Sequence, residues 1–293
     1  MASRPDFCTK PRSGRIGRRE LLAAALASLA AAPLAGALGA EVTEADTSPR
    51  AREDAISRLP LDKLNEETQR KLLSVVERSS LFRRMPTKTI DCDTDLYLFL
   101  LRNPEVVVNI WELMGVSNMT AERTGAFTWK GNDGAGTICN VELIYGTDDL
   151  HVLYGDGYYE GALLKRKING RCVLLLHSGY RQGQDARPYV GNQLDVFLTI
   201  DNVGADLIAK TLHPWVGATI DTNFGESAKF LSRMSQAAER NGSGMQRLAD
   251  KLERVQPDVR DRFTRVSTAV NQRAAIREAK LGLETPAIPV ERR

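Results

Sequence analysis

Residues 162–180 read ALLKRKINGRCVLLLHSGY, two apolar-rich runs on either side of Asn169-Gly170. That dipeptide suits a two-residue hairpin turn, so the runs are expected to be paired strands, Ala162 to Ile168 and Arg171 to Tyr180. The turn sets a register in which Ile168 opposes Arg171, Arg166 opposes Val173, Leu164 opposes Leu175 and Ala162 opposes His177, all on one face. Lys165 and Lys167 share the other face with Cys172, Leu174 and Leu176. Two lysines assign that second face to solvent, which turns Arg166 and His177 inward among Leu164, Ile168, Val173 and Leu175. The run Leu174 to Leu176 is apolar on both sides, so the inverted assignment, with Arg166 in water, stays open.

The period of two extends from Arg123 to Asp201. Phe127 and Trp129 mark one strand, Thr137 to Tyr145, Leu150 to Tyr159 and Tyr189 to Ile200 three more. Turn chemistry separates them at Asn132-Asp133-Gly134, Gly146-Thr147-Asp148 and Gly183 to Pro188. Gly155-Asp156-Gly157 lacks the remainder of a dinucleotide fingerprint and reads as a bulge or turn. Tyr145 ends the apolar face of Cys139, Val141 and Leu143, which puts its hydroxyl at a cavity mouth. His151 follows Asp148-Asp149 and reads as solvated. His213 precedes Pro214 and reads as a cap on helical carbonyls.

On the N-terminal side, residues 41–58 are polar and without apolar period, a flexible linker. Leu61, Leu64, Leu72, Val75 and Val76 follow helical spacing within a flanking segment, 59–81. Phe82 to Ile90 is expected as an edge strand. Asp93 or Thr94 caps a helix to Arg102, and Pro104 opens a second helix to Met114. On the C-terminal side, Val203 to Leu212 and Asp221 to Ala238 are helical, the latter with Phe224, Ser227, Leu231, Met234 and Ala238 on one side. Helices around 245–255 and 257–280 form an extension, 241–283, before a disordered tail, 284–293.

Strand, two helices, six antiparallel strands and a long helix make an α+β chain. With the texture of Leu98-Phe99-Leu100-Leu101-Arg102-Asn103-Pro104-Glu105 leading to Trp111, this order resembles the START-like (SRPBCC) superfamily, the helix-grip fold of lipid-transfer domains and polyketide cyclases. The resemblance spans residues 82–240. It implies a curved antiparallel sheet of about seven strands wrapped on a long C-terminal helix, with extra flanking helices, and a hydrophobic ligand such as a lipid, sterol or isoprenoid between sheet and helix. The ligand-binding candidates are Arg166, His177, Tyr145, Val173 and Leu175.

Residues 1–40 form a separate unit. A basic stretch precedes the apolar run Leu21 to Leu38 and the small residues Ala35, Ala37, Gly39 and Ala40, the pattern of a signal peptide. Arg18-Arg19 before Glu20-Leu21-Leu22 resembles the twin-arginine export motif. The expected partners are therefore the twin-arginine machinery, a hydrophobic molecule and a transient membrane contact, and the expected location is the periplasm or cell envelope. The leader carries six basic residues against Asp6 and Glu20, so the formal +3 of the 293-residue chain falls to about −1 without it. That balance excludes a nucleic-acid binder, which needs a basic face.

Three of the four cysteines lie beyond the leader, with no CxxC and no histidine at ligand spacing, so neither a metal nor a cofactor is expected. No nucleophile elbow, metalloprotease motif or P-loop is present, and no catalytic residue is assigned. A cyclase or dehydratase would need His177 paired with an acid inside the cavity, whereas the face assignment puts Glu142 and Asp195 outward. A third reading makes the flanking helices an interaction surface over a filled core.

Overall fold

The computed structural model describes residues 44–161, 164–201 and 213–284. The chain is α+β. Helix α1 (Pro49–Ser57), a short 3-10 turn (Leu61–Lys63) and α2 (Glu66–Val76) precede strands β1 (Leu81–Arg84) and β2 (Lys88–Asp91). Helices α3 (Thr94–Arg102) and α4 (Pro104–Leu113) lead into β3 (Thr120–Gly125), β4 (Thr128–Asn132), β5 (Thr137–Gly146), β6 (Leu150–Gly161), β7 (Leu164–Gln182) and β8 (Pro188–Ile200). Then come α5 (His213–Arg240), α6 (Gly242–Asp250) and α7 (Pro257–Glu284).

The eight strands form one curved antiparallel sheet in the order β1-β8-β7-β6-β5-β4-β3, and β2 also pairs with β8. Two predicted strands are divided. Phe82 to Ile90 splits at Met85-Pro86-Thr87, where the proline has no N–H for the ladder, and both pieces pair with β8. The strand marked by Phe127 and Trp129 is a hairpin, β3–β4, with Phe127 exposed between its arms and Trp129 buried.

Asn169-Gly170 is not a turn. Strand β7 runs unbroken for nineteen residues, and Gly170 pairs with Gly157 on one side and Ile200 on the other. Neither Asn169 nor Gly170 has the positive φ that a type I′ turn requires. Gly155 and Gly157 likewise lie inside β6, not in a turn. A Cβ on Gly157 would stand 2.3 Å from the Ile138 carbonyl oxygen, so glycine here permits a close approach between strands.

An unbroken strand alternates without a break, and this inverts the face assignment. Cys172, Leu174 and Leu176 join Val141, Leu153, Val196 and Leu198 against Val216, Ile220 and Phe224 of the long helix α5. Val173 and Leu175 face the other way, with Val152, Tyr154 and Phe197, against Ala51 and Ala55 of α1 and Leu72, Val75 and Val76 of α2. Both faces of the sheet are covered.

The stretch 41–58, expected as a flexible linker, contains α1. Ser48 caps it by accepting from Ala51 N at 3.2 Å, and Pro49 occupies its first turn. Its polar residues serve the fold. Arg52 donates to the carbonyls of Val76 (2.5 Å) and Glu77 (2.8 Å), and Asp54 accepts from Arg84 at 2.7 Å.

At the other end, α6 and α7 share a core with α3, α4 and α5. Phe263 stacks on Phe99 with ring centroids 5.8 Å apart. Arg273 forks onto the carboxylate of Asp93 at 2.9 and 2.7 Å, the same residue that caps α3. The leader with Arg18-Arg19, the expected helix 203–212 and the tail beyond Glu284 lie outside the described residues.

Candidate functional site

The inner face of the sheet and α5 do not close on each other completely. Leu153, Leu174, Leu176 and Leu194 from the strands, Ile220, Phe224 and Leu231 from α5, and Leu100, Val107 and Trp111 from α3 and α4 surround a cavity of about 130 Å³. Leucines and aromatics at these positions follow from the alternation of β6, β7 and β8 and from the apolar stripe of α5.

One corner of the cavity is polar. Ser178 and Asn192 are directly opposite each other on β7 and β8, and Tyr97 enters from α3. The Tyr97 hydroxyl lies 2.6 Å from Ser178 Oγ and donates to Asn192 Oδ1 at 2.7 Å, and Ser178 Oγ lies 3.2 Å from the same Oδ1. All three residues are buried. Burial raises the Tyr97 phenol well above the ordinary range, its hydrogen bonds with Ser178 and Asn192 only partly opposing it, so it stays protonated. Tyr97 and Asn192 line the cavity and Ser178 stands behind them; among the described residues the remaining polar lining residue, Ser227, turns its hydroxyl onto the Asn223 carbonyl at 2.8 Å.

The sequence candidates are not at this cavity. Val173 and Leu175 are fully buried under the N-terminal helices. Tyr145 packs on the same outer side, because the register shifts between Leu143 and Tyr145 and pairs the tyrosine with Val152. His177 is half-buried on the outer face too, opposite Gln193. The side chains of Arg166 and His213 lie outside the described residues, and the turn on which the inward position of Arg166 depended is absent.

His177 lies in a charged patch. Burial, then Arg58, lowers its pKa, while Asp195 and Asp149 pull upward. The Asp195 carboxylate is engaged by Arg84, Nε at 2.6 Å and Nη2 at 2.8 Å, and makes no hydrogen bond to His177. His177 Nε2 has no partner among the described residues. His151, expected in solvent, is completely buried on the inner side. It accepts from Arg102 Nε at 3.1 Å, and its pKa falls to about 4 through burial first and the guanidinium second.

Nothing at the cavity resembles a nucleophile with a base. The thiols of Cys92, Cys139 and Cys172 are all raised by burial, Cys139 to about 12, the wrong direction for reactivity. Among the described residues no group of three or more His, Cys, Asp or Glu is placed to hold a metal ion, and no helix is long and apolar enough to cross a membrane.

A larger depression, about 920 Å³, is a solvent-open cleft between α3, the β3–β4 hairpin and α7. Its inner arginine is committed to structure. Arg123 pairs with buried Glu105 at 2.7 Å, and Glu105 accepts from Trp129 Nε1 at 2.7 Å. The smaller, apolar cavity is the better candidate, because apolar walls around a few convergent polar groups are what a ligand site requires.

Tyr97, Ser178 and Asn192 escaped the sequence reading. A serine and an asparagine on the face of Leu174, Leu176 and Leu194 were the available signal, hidden by the wrong register.

No family model and no curated protein matches the chain. Among solved structures it is similar to the hypothetical protein jhp0584 from Helicobacter pylori, at 15% identity over 51% of this chain and 89% of that one, with a TM-score of 0.31.

Proposed function

We propose that this chain is an exported, START-like protein that binds a hydrophobic small molecule between its sheet and the long helix α5. The observation that carries the reading is the cavity of about 130 Å³, walled by apolar side chains from both layers and polar at one corner only. An apolar cavity of that order stays dry and takes up a ring-sized hydrocarbon. A whole lipid or sterol needs several times the volume, so such a ligand enters by displacing α5 from the sheet, with only a ring or chain segment seated in the resting form. Export rests on Arg18-Arg19 and the apolar run behind them.

One experiment addresses both parts. Protein recovered from the cell envelope is weighed by native mass spectrometry and then titrated with a ring-sized hydrocarbon. The expected result is a chain lacking about the first forty residues and saturable binding that Leu176→Trp abolishes without loss of the thermal transition. A full-length mass confined to the cytoplasm overturns export. Binding that ignores Leu176→Trp overturns the cavity.

A further inference from the structure

From the polar corner we infer that the cavity selects an uncharged ligand carrying an acceptor oxygen, of the ketone, quinone, ester or ether class, and rejects carboxylates and phosphates. The inference rests on the proposed binding function and narrows it.

The first observation is charge. No residue lining the cavity is ionisable at neutral pH, Tyr97 being the only titratable one and held neutral. An ionised headgroup placed there would have no counter-charge, and an unpaired buried charge costs more than an apolar tail gains. The arginines of β1 and α3 are already paired, Arg83 with Asp221 of α5. Arg84 is engaged with Asp195 on the opposite face, and Arg102 with His151 and the Thr147 carbonyl.

The second observation is the orientation of one amide. Two hydroxyls, those of Tyr97 and Ser178, converge on Asn192 Oδ1. That places the amide oxygen on the hydroxyl side, and Asn192 is one of the residues that line the cavity. No hydrogen bond from Nδ2 is made among the described residues. An amide NH₂ has two donors and no acceptor, so the complementary group is an acceptor. A ligand lacking one leaves the donors unpaired in an apolar site, and such a site discriminates strongly against the analogue without the oxygen. Tyr97 and Ser178 act as positioning residues that hold the amide's direction, and Asn192 is the contact.

The test uses three solutes of one ring size, cyclohexanone, methylcyclohexane and cyclohexanecarboxylate, titrated calorimetrically into the whole protein near neutral pH. Cyclohexanone is expected to bind about tenfold more tightly than the hydrocarbon, the worth of one hydrogen bond to a buried donor, and the carboxylate not measurably. As the pH falls to about 4 the carboxylic acid becomes neutral and its binding is expected to emerge. Asn192→Leu should bring cyclohexanone down to the hydrocarbon's affinity and leave the hydrocarbon unchanged. Carboxylate binding equal to the ketone's at neutral pH overturns the inference while the binding reading stands. So does a ketone-to-hydrocarbon ratio near one in the unaltered protein, a measurement that does not depend on the variant folding. Failure of all three solutes to bind overturns the binding reading with it.

Discussion

Leu174 and Leu175 are adjacent in one strand, identical in type, and turned to opposite faces of the sheet. Leu175 is entirely inaccessible beneath α1 and α2, whereas Leu174 retains 8% of its surface beside the cavity. The outer face is closed by two short helices that conform to it, with Phe82 and Phe197 packed at 4.9 Å between ring centroids. The inner face meets the 28-residue helix α5 together with α3 and α4, and a cavity remains among them. The same alternating apolar strand therefore builds solid core on one side and borders a cavity on the other, and the difference comes from what covers it.

The sharpest way to break that comparison is to shorten the two leucines. Leu175→Ala is expected to cost about 4 kcal/mol and Leu174→Ala about 2, since a truncation next to existing space removes fewer packed contacts than one in a filled core. Leu174→Ala should also enlarge the cavity and tighten binding of the larger ring solutes. Denaturant unfolding of the two variants checks this, and equal costs would mean that the two faces are packed alike.

Removing part of the outer cover gives a smaller effect. A chain beginning at Leu59 loses α1, including the two bonds from Arg52 to the carbonyls that end α2 and the contact of Asp54 with Arg84. It is expected to be about 2 kcal/mol less stable than one beginning at Glu44, the worth of hydrogen bonds to a charged group, yet to bind ring solutes unchanged. Loss of binding with the truncation would show that the two faces are coupled.

Periodicity carried most of the architecture. The change from a period of two to helical spacing marked the sheet, α3, α4 and α5, and Phe224, Met234 and Ala238 are buried on α5 as their spacing required. The site was not legible, for one physical reason. Asn-Gly is a strong hairpin signal in local sequence, but between Gly157 and Ile200 the pair is flanked by strands on both sides, and ladder pairing outweighs the turn preference. Because Leu164 to Gln182 is one strand, half of it has the opposite parity to that of a hairpin turning at Asn169-Gly170, which sent the candidate list to the wrong face. α1 was missed because Ala51 and Ala55 are too weakly apolar to signal burial, while Arg52 and Asp54 read as solvated.

The two faces also differ in their histidines, and this gives the smallest expected effect. His151 is fully buried on the inner side and His177 half-buried on the outer. Both have folded-state pKa values below the ordinary histidine value, His151 at about 4. For a base whose pKa is depressed by folding, the unfolded chain binds the proton more readily. The neutral folded form is thus favoured fully above pH ~6.5 and loses that advantage as the pH drops toward about 4. Stability should therefore fall on acidification through this window, by about 1 kcal/mol at pH ~5.5 on account of His151. In His151→Gln the dependence should flatten over that range, and in His177→Gln it should flatten less, since the outer position is more accessible and its pull from Asp195 and Asp149 opposes the shift. Melting curves between about pH 8 and pH 4 distinguish the two variants. A larger flattening in His177→Gln would place the more strongly desolvated histidine on the outer face and overturn the greater burial assigned to His151 on the inner side.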